Sequence, residues 1–140
     1  MTGLWVLLGA LVITSALAWR LQAREGRIKA KPGGASATGL PEQVRAALAA
    51  APSVTLVQVS TTFCAPCRHA RAVLAGLADT TDGLRHVELD VTDTPEIATS
   101  LGVLRTPTTV AFTSDGTELL RVGGVPKKDT LIDALRPHLP

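Results

Sequence analysis

The sequence predicts an α/β domain, a mixed four-stranded sheet flanked by helices, standing behind an N-terminal transmembrane helix. Three observations carry that expectation. A β-branched run and an alternating run, each of strand length, are separated by an amphipathic segment of helical period, and two more strand-like runs are joined by a turn signal, "SDG" at 114–116. The first twenty residues hold a long apolar run without a charge. A chain of 140 residues fits one domain plus an appendage. It divides into an anchor over 1–20, a basic then Gly/Ala/Ser-rich tether over 21–39, and a domain over 40–140.

The anchor is argued from residues 3–19, "GLWVLLGALVITSALAW", whose only polar side chains are Thr14 and Ser15. With Met1 and Thr2 it makes a helix of about 28 Å, close to the bilayer core of about 30 Å. Trp5 and Trp19 sit near its ends, where interfacial anchors belong. A cleavable leader is the alternative, because Ala16-Leu17-Ala18 fits a small-residue cleavage site. Against it, no Lys or Arg precedes the apolar run, whereas Arg20, Arg24, Arg27, Lys29 and Lys31 follow it against the single acid Glu25. Basic flanks stay cytoplasmic, so the domain is expected on the cytoplasmic face, with the extracytoplasmic side as alternative. The net charge of the chain is +2, and this short segment supplies all of the basic excess. That excludes a basic nucleic-acid-binding domain as the reading of the charge. Residues 24–39 lack apolar periodicity and read as a tether whose basic half can lie on anionic head groups.

In the domain, "PEQVRAALAAA" at 41–51 opens with proline and is rich in helix formers. "VTLVQV" at 54–59 reads as a strand. Ala70, Val73, Leu74 and Leu77 recur at helical spacing in a helix that begins at the cysteine pair and ends near Asp79. "LRHVELDV" at 84–91 alternates, with Val87, Leu89 and Val91 on one side and His86, Glu88 and Asp90 on the other. A short helix from Pro95 to Leu101 is stopped by Gly102. "TTVAFT" and "ELLRVG" form a hairpin, and a last helix starting near Lys127 presents Leu131, Ile132, Leu135 and Leu139. A crossover helix between the first two strands makes them parallel and right-handed; the hairpin adds antiparallel.

Both cysteines of the chain, Cys64 and Cys67, lie in "TTFCAPCRHA" at 61–70. Two cysteines are too few for a disulfide framework. A zinc site needs about four ligands, and the spacing of His69, His86 and His138 resembles no known finger, so no metal is expected. A structural staple across so short a loop constrains the unfolded chain little. A redox pair fits best. Cys64 follows a strand and opens a helix, with Pro66 at an early helical position where its missing N–H is harmless. Free N–H groups and the helix dipole there favour a thiolate, and Cys67 lies one turn on.

With "FCAPC" at 63–67, "RTPT" at 105–108 and "VGG" at 122–124, residues 40–140 resemble the thioredoxin family. The resemblance implies a thioredoxin-like fold. It also implies that Pro107 is a cis proline facing the cysteine pair, that the backbone of Thr106 pairs with an incoming substrate strand, and that Gly123 borders the same groove beside Phe63, Ala65 and Pro66. Several positions depart from the family pattern. Phe63 replaces the usual Trp, Ala65 the usual Gly, Gln58 the usual buried Asp, and Glu88 a frequent Lys, while the strand that usually opens the fold is not recognisable.

The implied function is a membrane-anchored thiol–disulfide oxidoreductase. Cys64 is the nucleophile and Cys67 the resolving thiol, with no cofactor beyond the cysteine pair. Expected partners are protein disulfides, an electron-donating reductase or dithiol, and the lipid around residues 3–19, but no nucleic acid. Because Gln58 cannot titrate, Glu88 is the candidate proton acceptor, with a pKa raised by burial. Two alternatives stand beside this reading: a non-catalytic binding module of the same fold, and an extracytoplasmic thiol carrier for protein maturation.

Overall fold

A computed structural model describes residues 2–30, 39–49 and 53–140 of the chain. Residues 31–38, inside the expected tether, and 50–52, where the first domain helix is expected to end, lie outside the described residues. The N-terminal helix α1 (Thr2–Gln22) exposes its apolar side chains all round, and its stretch Gly3–Gln22 is long and apolar enough to cross a membrane.

After α1 come β1 (Ile28–Ala30), α2 (Glu42–Ala49), β2 (Val54–Ser60), α3 (Ala65–Thr80), β3 (Leu84–Asp90), α4 (Pro95–Ser100), β4 (Thr108–Thr113), β5 (Glu118–Gly123) and α5 (Lys128–Leu135), closed by a 3₁₀ turn at Arg136–His138. The sheet order is β1-β5-β4-β2-β3, with β2 and β3 parallel and every other pairing antiparallel. Five strands therefore replace the four expected. The extra one, Ile28–Ala30, comes from the stretch read as tether and pairs with Val122, Arg121 and Leu120 of β5. Three residues carry no usable β period, so this strand is made by the edge that receives it rather than by its own pattern.

Strand β2 is buried along its whole length because it is paired on both edges and covered on both faces. On one face Val54 and Leu56 pack with Leu74 and Leu77 of α3 and Leu131 and Leu135 of α5. On the other, Val57 and Val59 pack with Val44 and Leu48 of α2, Ile97 of α4 and Phe112. A strand buried on both sides must be apolar at consecutive positions, which is why "VTLVQV" runs rather than alternates.

The junction between α1 and the sheet requires a glycine. Gly26 has φ +69°, its N–H donates to the Gly123 carbonyl at 2.9 Å, and a Cβ there would stand 2.8 Å from the Val125 carbonyl oxygen. In urea titrations of the full chain in detergent micelles, Leu74→Ala should lose about 2–5 kcal/mol by opening a cavity under α3. Leu104→Ala, at a side chain 98% exposed, should stay within about 0.5 kcal/mol. Equal losses would mean that α3 is not seated on the sheet as described.

Candidate active site

The chain leaves the C-terminal end of β2 and reaches Cys64 four residues later. Two contacts hold this loop. The Thr62 N–H donates to Thr92 Oγ1 at 2.9 Å and its hydroxyl to Asp90 at 3.2 Å, fastening it to the end of β3. Thr61 Oγ1 lies 3.5 Å from Thr106 Oγ1, fastening it to the loop before β4. Hydrogen bonds from Thr92 hold the Asp90 carboxyl below the ordinary carboxylate range, against a small opposing effect of burial.

Cys64 caps α3: its sulfur accepts from the Cys67 N–H at 3.2 Å, and it is disulfide-bonded to Cys67. Cys64 is half-buried, whereas Cys67 is 2% exposed. Ala65 and Pro66 are exposed, and Phe63 stands 94% exposed beside them. The Thr106–Pro107 bond is cis, Pro107 is buried, and the Gly124 N–H donates to the Pro107 carbonyl at 2.8 Å. Among the described residues the backbone of Thr106 makes no hydrogen bond. Gly123 pairs with Thr108 and lies under the Arg105 side chain, whose terminal nitrogen would be 2.6 Å from a Cβ there.

Beneath the pair, the α3 face of the sheet carries polar groups. Gln58 is fully buried; its Nε2 donates to the Cys67 carbonyl at 2.9 Å, and its Oε1 meets His86 Nε2 at 3.0 Å. With Gln58 Oε1 an acceptor, the His86 ring nitrogen is the donor. Burial pushes the His86 imidazole below its ordinary value, outweighing the upward pull of Glu88, so the ring is neutral near pH 7. Glu88 pairs in register with Gln58 across the β2–β3 ladder and accepts from Arg71 of α3 at 2.8 Å.

Residues 38–137 match the family model for thioredoxin. The chain belongs to the thioredoxin family. It is 34% identical over 87 residues to a thioredoxin of Staphylococcus saprophyticus, covering 61% of this chain and 83% of that protein. A thioredoxin of Staphylococcus haemolyticus is 36% identical over the same shares. Among solved structures, a mutant thioredoxin from Halobacterium salinarum superposes with a TM-score of 0.63 at 25% identity, covering 77% of this chain and 97% of that one. The family's activity makes this thioredoxin-fold chain a thiol–disulfide oxidoreductase, with Cys64 and Cys67 as its redox pair.

The fold thus gathers the residues singled out from the sequence at one end of the sheet: Phe63, Cys64, Ala65, Pro66 and Cys67 from the β2–α3 turn, Thr106 and Pro107 from the α4–β4 loop, and Gly123 from β5. Glu88 lies on β3 against Arg71, and the expected rise in its pKa is corrected. Burial alone would raise it, but hydrogen bonds from Arg71 and Ser60 and the charges of Arg71 and His86 outweigh burial and hold the carboxyl low. Sequence reasoning missed the contact of Gln58 with Cys67, the partnership of His86 with Gln58, and Arg71. The signal for Arg71 was its place one turn beyond Cys67 on the same helix.

Arg71→Ala should move the Glu88 titration upward, because burial is then opposed only by the Ser60 hydrogen bond and His86; NMR of its side-chain carboxyl reads this directly. A depressed folded pKa stabilises the fold above the unfolded pKa of about 4.3, an effect lost as pH falls through the folded value. Stability curves of wild type and Glu88→Gln should therefore differ at neutral pH and converge in acid. A Glu88 titration unmoved by Arg71→Ala would refute the pairing.

Proposed function

We propose that this chain is anchored in the cell membrane by α1 and reduces protein disulfides on the cytoplasmic side. The observation that carries the reading is the unequal pair: a half-buried Cys64 capping α3, bonded to a buried Cys67. When reduced, Cys64 holds a thiolate favoured by the helix N-terminus and attacks one sulfur of a substrate disulfide. A Cys64–substrate bond forms, the substrate disulfide breaks, and one substrate thiolate leaves. Cys67 then loses its proton and attacks Cys64 Sγ. The mixed disulfide breaks, the second substrate thiolate leaves, and the Cys64–Cys67 disulfide forms. Two electrons pass to the substrate, and a partner reductase or dithiol restores them. The exchange itself calls for no metal or organic cofactor.

The unbonded backbone of Thr106 beside Pro107, with Gly123 at the border and Phe63 exposed on the rim, supports a groove for an extended substrate strand. Resolution needs a proton acceptor on the α3 face. Glu88 is held low by its pairing with Arg71, whereas His86 is bonded to Gln58, which meets the Cys67 carbonyl, so His86 is the proposed acceptor.

Cys67→Ser should arrest the reaction as a mixed disulfide on Cys64, and Cys64→Ser should give no adduct. In single-turnover reduction of insulin, His86→Gln should slow release of the mixed disulfide near pH 7, with recovery at high pH, and Glu88→Gln should slow it less. Adducts trapped on Cys64→Ser would overturn the roles of the two cysteines, and wild-type release in both carboxamide variants would leave water as the acceptor. For sidedness, a membrane-impermeant maleimide should fail to label reduced Cys64 in intact cells and succeed after permeabilisation. Full labelling of intact cells would move the domain to the outer face.

A further inference from the structure

The anchor and the redox pair meet at the same end of the sheet. The Gly26 N–H bonds to Gly123, Gly123 pairs with Thr108, and Thr108 pairs with Val59, one residue before the end of β2. Three strand spacings, about 14 Å, therefore separate the exit of α1 from the strand that delivers Cys64. On the α2/α4 face at this end, behind the Arg105–Pro107 loop, lies a cleft of about 520 Å³. Arg24, Arg27, Lys29, Arg105 and Arg121 line it, with Leu104 on its wall.

Arg121 is neutralised by Glu118, which it grips through two nitrogens at 2.9 Å each. Among the described residues the salt bridges include none of Arg24, Arg27, Lys29 or Arg105. Four cations thus share a cleft that begins two residues beyond a helix of membrane-spanning length. A 21-residue helix rises about 31 Å, so Arg24 stands at head-group level when α1 spans the bilayer. Beyond α1, the large apolar side chains most open to solvent are Phe63 and Leu104, at 94% and 98%, and both stand at this end of the domain. Cations beside exposed apolar side chains are the combination that seats a surface on an anionic membrane interface.

We infer that this cleft takes the phosphate head groups of anionic phospholipids, seating the active-site end of the domain on the bilayer so that Cys64 serves disulfides held at the membrane surface. The inference rests on the reading of α1 as an uncleaved anchor. Lipid is favoured over an acidic protein segment because the cleft is continuous with the anchor and its first cation lies at head-group depth.

The test uses the full chain with Trp5→Phe and Trp19→Phe, so that Leu104→Trp supplies the only indole, reconstituted in vesicles containing acyl-brominated phosphatidylcholine. With about 30% phosphatidylglycerol the indole should be quenched about threefold more than without it, and about 0.5 M salt should abolish the difference. Arg24→Gln/Arg27→Gln/Lys29→Gln should abolish it too, while still reducing insulin in detergent, which shows that the variant is folded. Vesicle flotation separates the two readings. Protein that floats but shows no extra quenching with phosphatidylglycerol overturns the docking and leaves the anchor intact. Protein that does not float overturns the anchor, and the docking with it. Quenching equal in both vesicles and insensitive to salt would reduce the contact to Leu104 alone and overturn the role of the cleft. Quenching unaffected by phosphatidylglycerol, with an indole shift on adding polyglutamate, would assign the cleft to an acidic protein segment instead.

Discussion

Burial of β2 on both faces and both edges governs the rest of this molecule. A strand so enclosed can satisfy its backbone only by laddering with β3 and β4, and its side chains only by meeting α3 and α5 on one face and α2 and α4 on the other. Because β2 cannot shift without exposing that core, its C-terminal end is a fixed point. The turn to α3 starts there, and Cys64 inherits its position from it. The two threonine contacts, Thr62 to Thr92 and Thr61 to Thr106, then fix the loop laterally against the strands on either side. Reactivity is thus built on a rigid strand, with only the cysteine turn left at the surface.

The same enclosure explains the polar groups beneath the pair. Gln58 is the one long polar side chain fully buried on β2, and a buried amide left unpaired would be costly. Both ends of its amide are satisfied, one by the Cys67 carbonyl and one by His86. The amide therefore ties α3 to the sheet immediately behind the disulfide. It is also neutral in every state of the reaction. A carboxylate in its place would add charge under a thiolate and couple the two titrations; an amide removes that coupling and leaves ionisation to groups farther out, His86 and the Arg71–Glu88 pair. Arg71 matters here because it converts a half-buried carboxylate into a fixed ion rather than a poised base.

Most of the architecture was legible in the sequence because periodicity and punctuation agree. The strands 54–59, 84–91, 108–113 and 118–123 fall within a residue or two of β2, β3, β4 and β5, and the parallel and antiparallel senses follow from the connections. The cysteine pair was legible too, since two cysteines three apart at a strand-to-helix turn have few other uses. What escaped are features made by tertiary contact. Ile28–Ala30 is a strand only because β5 offers an open edge, and Gln58 meets Cys67 only because β2 and α3 cross at that depth. The Glu88 pKa went the wrong way because burial was weighed without Arg71, whose side chain approaches from another element.

The short strand β1 has a mechanical consequence for the proposed anchoring by α1. A plain tether would let the domain wander from the bilayer by the length of the linker and turn any face toward it. Here only five residues, 23–27, lie between α1 and β1, and Gly26 already belongs to the sheet through its bond to Gly123. The linker that sets orientation is therefore the turn at 23–26. Orientation thus depends on the β1–β5 ladder, three residue pairs at the sheet edge. Edge ladders of that length open more readily than the core they border. In the proposed membrane-seated form, release of β1 would free the domain without unfolding β2, which delivers Cys64.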